Sequence, residues 1–171
     1  MRNSDSNEDD ILVAESGGEQ YLVFYLGDQV YGIKILRVKE ILQYPGVTRV
    51  PRTPHYVKGV INLRGNVLPV VDLFALFENK AVSITPRTCI IIVEITIKGE
   101  RVEAGILVDA VDQVADLAAE NIEPPPSFGV SVKTEFITGM GRYEDHFVVL
   151  LDLDLILAPE EMRKFDASTR A

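Results

Sequence analysis

Apolar residues from Tyr21 onward fall in short runs separated by two or three polar or glycine positions. "YLVFYL" (21–26) is aromatic and aliphatic, and "GDQ" breaks it as a hairpin turn does. "VYGIKILRVKEIL" follows as one further strand-like run. "IKGE" (97–100) separates "TCIIIVEIT" from "RVEAGILV", and "RGN" (64–66) and "GRYED" (141–145) mark two more turns. Helical patterning is scarce. "DLFALF" and "DLDLIL" each read as about one turn opened by an aspartate, Asp72 and Asp152, whose carboxylates would accept from free helix N–H groups. A longer helix is predicted only at the C-terminus. There Pro159 stands at a first helical position, Glu160 and Glu161 in the first turn, and Arg163 and Lys164 further along.

The pattern repeats. Gly32, Ile33, Ile35, Val38 and Ile41 match Gly105, Ile106, Val108, Val111 and Val114 at an offset of 73. Ile61 and Gly65 match Ile137 and Gly141 at 76, and Asp72, Leu73 and Leu76 match Asp152, Leu153 and Ile156 at 80. Short strands at this spacing favour small closed barrels over an open sheet. The expected architecture is mainly β, with two barrel subdomains from roughly 20–85 and 86–158, exchanging strands at their boundaries, and a C-terminal helix and tail over 159–171. Units this small should pack on each other to complete a core. Residues 1–19 are acidic and rich in Ser, Asn and Gly, and read as a flexible tail in which "ILVA" is the one apolar island.

Charge narrows the function. The net charge of -9 opposes nucleic acid and anionic membrane faces, which need positive counter-charge. A small OB- or SH3-like barrel binding single strands would carry a basic aromatic stripe, and none is present. The single cysteine, Cys89, excludes an internal disulfide, fits a reducing compartment, and reads as a small buried hydrophobe ahead of "IIIV". No apolar run is long enough to span a membrane, and the acidic N-terminus is no secretory signal, so a cytoplasmic protein is expected.

Catalytic chemistry finds no footing. His55 and His146 lack ligand spacing, and the chain has no HExxH, CxxC, GxSxG or phosphate-cradling glycine loop. Asp109, Asp112 and Asp116 read as solvated strand edges, and no pair of carboxylates is placed for acid–base work or a hydrolase. Neither a metal nor a cofactor is expected. What remains is a binding surface. Arg64 sits at a hairpin turn where Gly65 permits an unusual backbone, and it either holds a nearby carboxylate or serves recognition. The repeat places Met140 at the matching position, so the shared fold does not demand arginine there.

"YLVFYLGDQVYGIKILRVKEI", "TRVPRTPHYVKGVINLRGNVLPVVDL", "GILVDAVDQV" and "FITGMG" together resemble the CheW family of bacterial chemotaxis coupling proteins, over residues 20–162. The resemblance implies two five-stranded SH3-like barrels and a non-enzymatic adaptor. Such an adaptor joins the cytoplasmic tips of chemoreceptors to the regulatory domain of the histidine kinase CheA, at membrane-associated arrays and without entering the membrane. It also implies a receptor groove between the barrels, which by position would include Val38, Glu40, Arg64, Ile90 and Val114, with Lys58 and Gly59 beside it. A helical receptor hairpin would lay an apolar face into that groove. Val38 and Val114, taken as repeat mates, would face each other across the seam. Kinase-contact residues are not placed by the resemblance. A monomer is expected in isolation, and a pilus-motility or other kinase pathway is the alternative setting.

Overall fold

The computed structural model describes residues 18–125 and 134–158. The helix expected from Pro159, the "ILVA" island and nearly all of the acidic tail lie outside the described residues. Among the described residues eleven strands run in the order β1 (Gly18–Leu26), β2 (Gln29–Lys34), β3 (Val38–Gln43), β4 (Val57–Leu63), β5 (Asn66–Asp72), β6 (Cys89–Ile97), β7 (Glu100–Val108), β8 (Ala110–Ala118), β9 (Ile122–Glu123), β10 (Ile137–Tyr143) and β11 (His146–Leu151). Two short helices, α1 (Leu73–Glu78) and α2 (Leu153–Ile156), follow β5 and β11. The fold is mainly β.

The strands form two sheets, β3-β6-β7-β5-β4 and β8-β1-β2-β11-β10-β9. Each takes strands from both halves of the sequence. The run "VYGIKILRVKEIL", expected as one strand, is broken by a 3-10 turn at Ile35–Arg37. β2 stays in the six-stranded sheet and β3 crosses into the other.

The sheets repeat one topology. Each has a single parallel pairing, β5 with β7 and β11 with β2. In these, Gly105 faces Val70 and Gly32 faces Leu150, so the offsets of 73 and 80 both hold in space. A Cβ on Gly105 would meet Ile90 at 2.8 Å, and one on Gly32 would meet Leu150 and Val148 at 3.0 Å, so side chains from neighbouring strands fill the space a larger residue would need. The bulges also match: the register shifts at Val57/Gly59 and Val38/Glu40 in one sheet, and at Ile137/Gly139 and Leu22/Phe24 in the other.

Three hairpins turn through two residues in the left-handed region: Arg64–Gly65, Lys98–Gly99 and Glu144–Asp145, as a twisted two-residue hairpin requires. Both helices are capped as expected. Asp72 Oδ1 accepts from Ala75 N at 3.0 Å and Asp152 Oδ1 from Leu155 N at 3.1 Å. Even the backbone anchors of the two caps are repeat mates, with Asp72 N donating to Tyr56 O and Asp152 N to Phe136 O.

β1 explains why "YLVFYL" is apolar throughout. Tyr21 and Val23 point into a cluster with Ala115, Leu117, Val148 and Leu150, inside the six-stranded sheet. Leu22, Phe24 and Leu26 point the other way, into one large core shared with Ile90–Val93, Ile106–Val108 and both helices. The two units are therefore joined by a common core. Arg37 adds a polar latch at this junction: it pairs with Asp154 at 2.6 Å, and Asp154 also accepts from Thr96 N at 2.9 Å.

Candidate functional site

β3 is an edge strand of the five-stranded sheet, and the opposite edge is β4. The β4–β5 turn carries Arg64, whose Nη2 donates to Glu40 Oε1 on β3 at 2.6 Å. The pair bridges the two edges where no strand hydrogen bonds do. The bulge at Val38/Glu40 sits beside this meeting point. Arg64 remains 71% exposed and Glu40 32%, so the pair lies on a rim open to a partner. The hydrogen bond and charge of Glu40 push the Arg64 guanidinium above its ordinary pKa, with a smaller contribution from Glu103. Arg64 is charged at any relevant pH.

The second unit closes differently at the same place. Gln113, the mate of Glu40, donates through Nε2 to Tyr143 Oη, joining β8 to β10. The register also corrects the repeat. Gly59 pairs with Val70 and Gly139 with Leu150, so β4 and β10 match at 80, not 76. The mate of Arg64 is therefore Glu144 in the second hairpin turn, not Met140. Arginine is still absent from the equivalent position, and its place is taken by the opposite charge.

The remaining predicted residues separate. Val38 is half-buried and packs against the shared core two residues from Glu40 on β3. Its mate is Val111, also half-buried, and the mate of the 43% exposed Val114 is Ile41, exposed to 42%. Val38 and Val114 are therefore not repeat mates; the structure upholds the offset of 73, which sets Val38 against Val111, and each of the two valines lies on an outer strand of a different sheet, one facing inward and the other outward. Ile90 is wholly buried between Leu42 on β3 and Leu107 on β7 and presents no surface. Gly59 is buried as well. A Cβ there would lie 2.4 Å from the Thr48 carbonyl oxygen, so the glycine permits the close approach of the Thr48–Val60 bridge. Its mate Gly139 serves the same approach of β9. Lys58 is half-buried, and its charge favours the ionised form of Asp72.

Among the exposed apolar side chains that sequence reasoning passed over, two lie on or next to β3. Leu36, in the turn between β2 and β3, is 86% exposed, and Ile41 projects from the outer face of β3. The available signal was the polar interleaving of "RVKEILQ", which places Ile41 opposite Glu40 and Leu42 on an edge strand.

The other chemical candidates hold structural posts. His55 Nε2 lies 3.2 Å from Ala75 O, Asp109 Oδ2 accepts from Gly27 N at 2.6 Å, and Asp112 Oδ2 accepts from Tyr25 Oη at 3.2 Å. Asp116 and His146 are exposed on strands. Cys89 is half-buried rather than buried, because it starts β6 at the sheet margin, and burial still raises its thiol pKa. Among the described residues no three His, Cys, Asp or Glu side chains gather to hold a metal, and no helix is long and apolar enough to cross a membrane.

Comparison with known proteins accounts for this architecture. The CheW-like domain model matches residues 20–161. The chemotaxis protein CheW of Klebsiella aerogenes is 42% identical over 155 residues, 91% of each chain. CheW of Rhizobium meliloti is 36% identical over 146 residues, covering 85% of this chain and 92% of its own. The crystal structure of the scaffolding protein TtCheW from Thermoanaerobacter tengcongensis superimposes with a TM-score of 0.73 at 32% identity, covering 84% of this chain and 90% of that one. Doubled β topology, site geometry and end-to-end similarity agree: the chain belongs to the CheW-like domain family.

Proposed function

We infer that this chain is a non-catalytic chemotaxis adaptor that couples chemoreceptors to the histidine kinase CheA. The observation that carries the reading is the similarity to chemotaxis CheW proteins along nearly the whole described length, on a scaffold of the same fold. The receptor site is the rim around Glu40 and Arg64, with half-buried Val38 beside it and Val114 contributed by the other unit. Lys58 flanks this rim; Gly59 and Ile90 support it from within. A receptor tip is a helical hairpin, and an exposed arginine beside apolar side chains is the kind of anchor such a face engages. The two sequence halves, 20–85 and 86–158, act as one body through their shared core. The protein works as a monomer in the cytoplasm and joins arrays beneath the membrane through its partners. Co-sedimentation with receptor-bearing membranes and CheA tests this: the chain should pellet with receptors, and kinase activity should become receptor-controlled only when the chain is present. Failure to pellet with receptors and to bind CheA in solution would overturn the assignment.

A further inference from the structure

The charge of this acidic chain is unevenly spread. No Asp or Glu occurs between Glu40 and Asp72, yet the stretch carries Arg49, Arg52, Lys58 and Arg64. Three of these and His55 line a cleft of about 360 Å³ in the β3–β4 connection, with Val50 and Val57 in its walls. Arg49 and Arg52 are exposed and have no ion-pair partner among the described residues. The loop beneath them is tightly held. Thr48 and Val60 exchange backbone hydrogen bonds at 2.9 and 2.8 Å. Thr53 Oγ1 donates to Val50 O at 2.9 Å, Val57 N to Pro54 O at 3.0 Å, and Tyr56 is buried under His55. Arg52 itself sits at φ 66, a left-handed position after Pro51 that glycine or asparagine fills with less strain. Folding alone does not call for an arginine at this strained, exposed turn beside two further cations.

We propose that this cleft is a docking site for a carboxylate-rich peptide segment of a partner protein. The cations are spaced along the loop around apolar walls, which suits an extended segment carrying both acidic and apolar side chains. A lone phosphate instead asks for converging backbone N–H donors, and a nucleic acid needs a basic stripe that runs well beyond one loop, whereas these cations are confined to the β3–β4 connection. The proposal rests on Arg49 and Arg52, which take no part in the Glu40–Arg64 rim; Lys58 borders both.

The test is fluorescence anisotropy of the full chain with a labelled DELDELDE peptide and its amide counterpart NQLNQLNQ. The acidic peptide should bind at least ~10-fold more tightly than the amide form, and added salt should weaken it. Arg49→Gln with Arg52→Gly should lose about 10-fold or more in affinity, with no fall in melting temperature, since glycine suits the left-handed turn. Should the double variant melt lower, Arg49→Gln alone carries the test and should still weaken binding. Unchanged affinity in the variants, or equal affinity for the two peptides, would overturn the proposal. So would full displacement by equimolar inorganic phosphate, which would give the cleft to small anions, or a salt-sensitive self-association abolished in the variants, which would give it to a second copy of this chain.

Discussion

Glu40 and Arg64 meet at 2.6 Å across the mouth of the five-stranded unit, joining its two edge strands through side chains alone. The equivalent seam in the other unit is joined by Gln113 and Tyr143. Closure at this point therefore needs a polar contact but not an ion pair. A charge swap separates the two uses of the arginine. Glu40→Arg with Arg64→Glu restores the pair and should restore any stability lost in either single variant. It should not restore receptor-tip binding, because the guanidinium would then stand on β3 and not on the turn. Titration of a receptor-tip fragment into the double variant checks this; wild-type affinity would reduce Arg64 to a structural role.

Gly59 and Gly139 should differ under the same substitution. A Cβ at 59 meets the Thr48 carbonyl oxygen at 2.4 Å, while one at 139 meets the Ile122 Cγ2 methyl at 2.6 Å. Backbone yields less readily than a side chain, so Gly59→Ala should cost about 1–3 kcal/mol and Gly139→Ala less. Urea denaturation ranks the two directly.

Much of the fold could be read in the chain, and the misreadings have a common cause. Turn chemistry marked the four hairpins, and Asp72 and Asp152 announced the two helices through their caps. The offset of 76 fails because it sets Gly65, in a hairpin turn, against Gly141, which lies inside a strand. In the second turn Glu144 and Asp145 adopt the left-handed conformation. The pair that keeps register is Gly59 and Gly139, where the glycine admits a neighbouring backbone. The site was legible in part. Glu40 and Arg64 come together through a turn and an edge strand that sequence order alone does not pair. Ile90 entered the groove only through the resemblance; it begins the run Ile90–Val93, buried on both faces of β6, and so supports the site from within.

Asp72 should make stability depend on pH. It is 2% exposed, and burial raises its carboxyl pKa despite bonds from Val82, Ala75 and Phe74 N–H groups and the charge of Lys58. The native state therefore holds this proton to a higher pH than the unfolded chain does. Its contribution is largest below the unfolded-state pKa and declines as pH rises through the native one. The stability of wild type relative to Asp72→Asn should accordingly rise as pH falls from 7 toward 4. A constant difference across that range would contradict this account. Asp72→Ala, which loses both the helix cap and the bond to Val82 N, should cost about 2 kcal/mol or more at pH 7.

The Arg37–Asp154 latch should be asymmetric. Arg37→Ala removes a partly exposed ion pair and should cost no more than about 1 kcal/mol. Asp154→Ala also strips the Thr96 N–H of its acceptor and should cost more. Chemical denaturation of both single variants and the double variant measures the difference and the coupling.

The central claim is that Arg64 serves recognition on an adaptor that binds two partners. Calorimetry of the wild type and Arg64→Ala against a receptor signalling-tip fragment and a CheA regulatory domain tests it most directly. The wild type should bind both. The variant should lose about 10-fold or more in receptor affinity, keep its kinase affinity, and melt close to the wild type. Full receptor affinity in the variant, or a variant that melts far below the wild type, would contradict the claim and leave the arginine as a clasp between Glu40 and its own turn.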